Sequence, residues 1–414
     1  MVKLQWKLLP LGAAAVLLFL ATGPITGEAE EGRAVARLKS ASKNPEALSL
    51  KLYEWGVDRA NWDGTAVSPN DVPDFYYSAD EVTLAPAPEK PEPKPVAKPR
   101  PESGVGCAKP VVYFESDKDG VFDFEVRFAH GAIEWMYPKP SRRIDTATAQ
   151  WDGIKIVSNV DDAAKLPKVR DVKADHWAAF SRDGAKSLLQ VNGETEHFLF
   201  YEGSKTDLVD ADVAQDADGN VVIRNFGAFA IHDVRLRLQT KDGWRAWFVR
   251  EIAAANGSTP TAVTLAEGNR VELADVRKPG VLAAESKAAG LTDTQAAVFE
   301  RCWRNDFVMG DRSVLTWRHD AQAVDSAVPL KAGNAKLESK RVCYAWIANI
   351  DLSRQAEFDK LADGVSTGDT AAGEKLAKSG VAGAGAVRRL ISNSEVSLAR
   401  RMKLAKWLKT QSGK

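Results

Sequence analysis

Histidine and cysteine are scarce in this chain, and net charge is absent. Five histidines and three cysteines occur among 414 residues, and 56 Lys+Arg balance 56 Asp+Glu. That balance leaves no overall field to draw the protein onto nucleic acid. His130, His176, His197, His232 and His319 never fall at H-x-H or H-x-x-x-H spacing, and H-E-x-x-H does not occur, so no single element carries a zinc pair. Cys107, Cys302 and Cys343 are too far apart for a C-x-x-C redox or zinc motif. They allow three alternative single bridges with one thiol left over. Cys302 falls in a helical pattern and Cys343 in a strand pattern, where both read as small buried hydrophobes. The G-x-S-x-G elbow of serine hydrolases is missing too, although a Ser-His-Asp set drawn from distant positions stays open. The glycine-rich "GVAGAG" at 380–385 follows no strand and precedes no Lys-Ser/Thr, so it reads as a connection between helices. The expectation is therefore no catalytic residue set, no cofactor and no metal.

Long apolar runs are also few, and the main one opens the chain. Lys3 and Lys7 precede an apolar stretch from Leu8 to Ala21, followed by small residues, the pattern of a secretory signal peptide over 1–27. Pro10 and the shortness of the run argue against a spanning helix, which needs about 20 apolar residues; an uncleaved anchor is the alternative. Residues 28–84 read as a short N-terminal region with one helical candidate, "NPEALSLKLYEWGVDRANW", then the loop "SPNDVPDFYYSADE". Residues 85–104, "APAPEKPEPKPVAKPRPESG", hold seven prolines. Proline favours the extended polyproline form, so this linker is a semi-rigid spacer that reaches at most roughly 60 Å. Its E-P/K-P alternation resembles the spacers of energy-transducing periplasmic proteins that cross the cell wall.

From 105 to 352 the dominant period is two, which predicts a mainly β, antiparallel, sandwich-like body with one inserted helix. In "VFDFEVRF", Phe122, Phe124, Val126 and Phe128 share one face while Asp123, Glu125 and Arg127 share the other. "VRLRLQTKDGWRAWF" turns Val234, Leu236 and Leu238 inward and Arg235 and Arg237 outward, with a turn at Asp242-Gly243. Asn192-Gly193 signals another hairpin. The helix is "LTDTQAAVFERCWRNDF", capped at Thr292 or Asp293, with Ala296, Phe299 and Trp303 on its apolar side. Residues 353–414 change to short helices, a small all-α tail. There Ser392 and Glu395 suggest a capping box, and Leu398, Met402 and Ala405 an apolar stripe.

Two further resemblances follow from these segments. The run "LAKSGVAGAGAVRRLISNSEVSLARRMKLAKWL" resembles one degenerate HEAT-type repeat, which would have to dock on the β body or on a partner. The blocks "KPVVYF", "HFLFYEG", "GLTDTQAAVFERCWRNDF" and "SVLTWRHDAQAVDSAVPL" resemble a family of large exported bacterial proteins of unassigned function. That resemblance covers about Lys109 to Ile350 and implies export and a β-rich fold, with no chemistry attached.

Among binding features, Ile133, Trp135 and Tyr137 share one face by parity, and Trp151 follows; exposed, they would form a stacking row for sugar rings or a protein partner. Arg400, Arg401, Lys403 and Lys406 give the last helix a basic face for an anionic surface. The acids from Asp207 to Asp218 fit a calcium loop only loosely, since Ala214 and Asn225 occupy the ligand positions of an EF-hand, and a solvated hairpin is the simpler reading. Asp123 and Glu125 could be a glycosidase pair but share their face with Arg127. These readings converge on an exported periplasmic or cell-envelope protein, a non-catalytic binding or assembly module on a proline-rich spacer. Its partners would be an envelope protein or polysaccharide, not nucleic acid, with membrane contact only through an uncleaved leader or the basic helix. A secreted hydrolase of polysaccharide or peptide and a carbohydrate-binding module are the alternatives. A pocket of convergent titratable groups would favour the hydrolase; an exposed aromatic or apolar patch would favour a binder.

Overall fold

A ten-stranded sheet is organised around two fourteen-residue strands, Leu48–Asn61 and Ala335–Ala348, that pair in parallel. The computed structural model describes residues 47–67, 72–84, 105–158, 168–205 and 209–411, without the side chains of 105–109 and 205. The leader over 1–27, the spacer over 85–104, the Cys107 thiol and Asp207 lie outside the described residues. Beyond Ala335–Ala348 the sheet continues with Val314–His319, Ile231–Thr240, Gly243–Ile252 and Arg270–Val271. On the other side of Leu48–Asn61 come Val105–Glu115, Leu199–Lys205, Gly131–Tyr137 and Tyr77–Ser78. All of these outer pairings are antiparallel. The fold is thus strand-rich, with large antiparallel sheets and a helical C-terminal region.

Three cores cover this sheet. On one face, helices Val281–Ala288 and Asp293–Arg304 and the loop carrying Tyr76 bury Trp55, Val57, Tyr344 and Trp346. The opposite face is divided. A second sheet, including Gly120–Arg127 and Thr148–Val157, packs on Leu48, Leu50 and Leu52. A three-stranded sheet, Ala211–Gln215, Val221–Asn225 and Thr261–Thr264, packs with the C-terminal helices on Ala60, Trp317, Ala345 and Ile347.

The segment read as a helix over "NPEALSLKLYEWGVDRANW" is the central strand Leu48–Asn61. Its even positions Leu48, Leu50 and Leu52 enter one core and its odd positions Trp55 and Val57 the other. Burial on both faces removes the alternation that marks a half-exposed strand, and each such side chain contributes about 1.5–3 kcal/mol of burial. The same cause corrects Arg235 and Arg237. Both are buried, because helices cover the face that parity alone assigns to solvent. Arg237 donates to Val308 O (2.5 Å) and Arg312 O (3.0 Å), and burial lowers its guanidinium to about 10. Arg235 pairs with Glu285.

Other local readings agree with the structure. Phe122, Phe124, Val126 and Phe128 are buried together. Asn192 and Gly193 take the positive φ values, 50° and 79°, that a two-residue hairpin needs. The second hairpin turns one residue early, at Lys241-Asp242, and Gly243 opens the return strand at φ 105°. Helix Asp293–Arg304 is capped by Thr292, whose hydroxyl accepts from Gln295 N, and Ala296, Phe299 and Trp303 are buried.

Among the described residues the tail holds four helices, Gln355–Thr367, Thr370–Ala377, Gly380–Ser392 and Leu398–Gln411. "GVAGAG" is not a connection but the buried first half of the third. Small residues are needed there: Ala382 N donates to Trp62 O (2.8 Å), and a Cβ on Gly380 would stand 2.6 Å from Gly64 Cα. Ser392 does not cap the last helix. It ends the third, donating to Arg388 O and Arg389 O, and the last helix starts six residues later. Leu398 and Met402 face solvent at 65% and 63% exposure, while Leu404 enters the core.

Candidate functional site

The even-numbered face of the central strand carries two carboxylates in succession. Glu54 stands in register with Arg341, and Asp58 with Ala345 four residue pairs further on. Glu54 accepts from Tyr201 Oη and from Arg341 Nε, and Arg341 also donates to Asp325 (2.9 Å) and Val328 O (2.7 Å). Burial opposes the Arg341 charge, but the contacts to Glu54 outweigh it and hold the guanidinium well above its usual value. This group is a closed structural ion cluster. A buried pair of this kind costs desolvation and is most informative about what breaks when one partner is lost.

Past that cluster the sheet opens into a cleft of about 600 Å³. Asp58, His319, Cys343, Trp317 and Ala345 form its floor. His319 is the last residue of strand Val314–His319, which pairs antiparallel with Ala335–Ala348 up to Arg318 opposite Tyr344. The same register sets His319 opposite Cys343. Its imidazole reaches across the strand to Asp58, with Nε2 3.2 Å from Oδ2. The two groups are in contact, but the geometry falls short of a hydrogen bond. The small side chain of Ala345 lies between them in the floor.

Helix Ala321–Ala327 makes one wall, starting from Asp320, whose Oδ1 caps it by accepting from Gln322 N (2.8 Å). The other Asp320 oxygen lies 3.5 Å from His232 Nε2, and Glu251 approaches His232 Nδ1 at 3.4 Å. The tail supplies the facing wall through Arg388, Ile391, Ala405, Leu408 and Lys409. Arg388 donates to Val209 O and pairs with Asp210 (3.0 Å). The next residue, Arg389, bridges the buried Asp212 and the half-exposed Asp359, so the helix that forms the wall is anchored by charge. Burial opposes the Arg389 charge, and these two carboxylates raise it. The cleft thus combines apolar side chains with a small set of charged groups, Asp58 and His319 at the floor and Arg388, Lys409 and Asp210 across from them, the make-up of a small-molecule site.

The aromatic row expected from parity is dispersed. A bulge between Ile133 and Trp135, where the pairing with Leu199–Lys205 shifts, sends Ile133 into one core and Tyr137 into another. Tyr137 is buried and stacks on Tyr76 at 4.6 Å. Trp151 is buried and donates Nε1 to Pro138 O at 2.8 Å. Trp135 is half-buried against the aromatic core. No stacking surface results from these three.

The basic residues of the last helix divide. Arg400 binds Asp363 and the Ser366 hydroxyl, and Lys403 donates to Thr367 O (3.4 Å), so both hold the tail together. Arg401 is half-buried and Lys406 exposed. Asp216 closes a hairpin by accepting from Asp218 N and Asn220 N, while Asp210 and Asp212 bind tail arginines. Asp123 accepts from Gly153 N (2.8 Å), and Glu125 pairs with Lys331 (2.9 Å). Cys302 and Cys343 are not in a disulfide.

The Asp58, His319 and Cys343 grouping was not foreseen from sequence, because they are 24 to 285 residues apart and meet only through the parallel pairing of the two central strands. No helix among the described residues is long and apolar enough to cross a membrane. No protein-family model matches the chain, and no curated protein matches it.

Proposed function

We propose that the protein is an exported binding module whose recognition element is the cleft between the β body and the C-terminal helices. Its ligand is a small molecule, or the end of a larger one, with an apolar body against the walls and a polar head over Asp58 and His319. The observation that carries this reading is the cleft itself: about 600 Å³, lined largely by apolar side chains, with charged groups at the floor and on the tail wall. Burial of Tyr137 and Trp151 weighs against the carbohydrate-binding alternative. The leader and the proline-rich spacer support export and reach, which remain part of the same proposal, as does the HEAT-like nature of the tail.

The test is a thermal-shift screen of short peptides, fatty acids and acylated small molecules, run beside Ala405→Trp. Ala405 is exposed on the tail wall, so an indole there fills the cleft without entering the core. Ligands that raise the melting temperature of the wild type but not of the variant support the reading. Ligands that stabilise both equally, or the absence of any, count against it. A hydrolase is the second reading, favoured by the titratable groups that converge on the floor.

A further inference from the structure

The cleft floor holds a thiol, an imidazole and a carboxylate within one small patch of sheet. Cys343 and His319 stand opposite each other on adjacent antiparallel strands, where Cβ atoms lie about 4.5–5.5 Å apart. Asp58, on the strand that flanks Cys343 from the other side, is in contact with the His319 imidazole at 3.2 Å. All three line the same cavity. With Nε2 turned to Asp58, Nδ1 is the nitrogen that can face a thiol. Arg341 lies two residues before Cys343 on the same face of the strand, with its charge balanced by Glu54 and Asp325.

We propose that Cys343, His319 and Asp58 form a nucleophilic thiol site that accepts an acyl group from an ester or amide whose apolar acyl part lies in the cleft. The inference rests on the cleft being the binding site. In the reaction, His319 takes the Cys343 proton as Sγ bonds to the acyl carbon. The bond from that carbon to the leaving oxygen or nitrogen breaks, and the leaving group receives the proton from His319. Water then cleaves the thioester, releasing the carboxylic acid and restoring the thiol, with no change of oxidation state. A thiol beside a base is the activated nucleophile of acyl transfer, and a carboxylate beside the imidazole, here within 3.2 Å, supplies the third member of such sets. The sulfur needs no base on its own strand, which is why no local motif announces the site.

The groups that face Cys343 include Arg341 on its own strand, Asp58 and Glu54 on the neighbouring strand, and His319 opposite. Asp320 and Asp325 approach from the Ala321–Ala327 helix and its cap, Tyr201 from the Leu199–Lys205 strand through Glu54, and His130 lies at the rim. Across the cleft stand Arg388, Asp210 and Lys409. The pH profile of the thiol reports on this whole set.

The experiment uses the full chain and reads iodoacetamide alkylation of Cys343 and Cys302 by peptide mass spectrometry from pH 5 to 9. Cys302, partly buried on a helix, is the internal reference in every sample. Cys343 should alkylate at least tenfold faster than Cys302 at neutral pH. His319→Gln should remove that advantage and move the profile to higher pH, while the rate at Cys302 stays unchanged, which shows that the fold survives. Incubation with p-nitrophenyl esters of two to eight carbons should leave an acyl adduct on Cys343, absent in Cys343→Ser. Equal rates at the two cysteines, a profile unmoved by His319→Gln, or no adduct with any ester would overturn the proposal. Failure of the cleft reading is distinguishable, because it would show as a reactive Cys343 that Ala405→Trp does not protect.

Discussion

Replacing Gly385 by alanine should destabilise this protein, against the usual sign of that change. In a helix interior, glycine to alanine gains about 1 kcal/mol from propensity alone. Gly385 lies within helix Gly380–Ser392, where the helix meets the three-stranded sheet at Asp212. A Cβ at this position would stand 2.6 Å from Asp212 Cγ and 3.2 Å from its Cβ. Asp212 has no room to swing away, since it is 1% exposed and held by Arg389. Overpacking of this kind costs about 1–3 kcal/mol, and breaking a buried ion pair outright costs about 3–5 kcal/mol. After the propensity gain, the net loss is about 0–2 kcal/mol if Asp212 only shifts and about 2–4 kcal/mol if its pair with Arg389 breaks. Urea unfolding followed by tryptophan fluorescence measures it. Gly373→Ala is the control, because its Cβ would meet nothing closer than Trp407 Nε1 at 3.3 Å. If Gly385→Ala moved the midpoint upward as much as Gly373→Ala, the close docking of the tail on Asp212 would be wrong.

Three further outcomes follow from the same packing. Arg341→Met should cost about 3–5 kcal/mol by leaving Glu54 charged and buried, whereas Arg341→Met with Glu54→Leu should cost much less; a double-mutant cycle with additive losses would contradict the ion cluster. Burial, aided by the nearby Arg182, pushes the His197 imidazole below its ordinary value, so folding favours the neutral ring. That contribution is complete above about pH 6.5 and is lost as pH falls from there through the folded value; His197→Gln should flatten the stability curve in this window, and an unchanged slope would assign it to other groups. Leu404→Ala removes a fully buried anchor of the last helix and should cost about 2–5 kcal/mol. It should also weaken ligand binding in the cleft, whose wall this helix forms, and undiminished affinity in the folded variant would separate the tail from the site.

Local chemistry was legible wherever one face of an element meets water. Phe122, Phe124, Val126 and Phe128 alternate because the other side of their strand is only partly covered, and Asn192-Gly193 turns because only those residues accept its backbone angles without cost. The helix Asp293–Arg304 carries its own cap and apolar side. Legibility failed where both faces are covered. Leu48–Asn61 alternates between two cores, so period two is hidden, and Arg235 and Arg237 lie beneath helices that sequence cannot locate. The bulge at Glu134 breaks the parity on which the aromatic row depended. "GVAGAG" suits a loop by composition, yet its small residues serve close backbone approach inside a helix. The site was hidden for a topological reason. A parallel pairing joins strands nearly 290 residues apart, and only that pairing brings Asp58 to the strand that carries Cys343.

The most direct test of the account is a crystal structure of the full chain soaked with small acyl fragments, read at the cleft. The account predicts fragment density between helix Ala321–Ala327 and the tail, with the polar end over Asp58 and His319. Fragments clustering on another surface, with the cleft closed or filled by side chains, would contradict it.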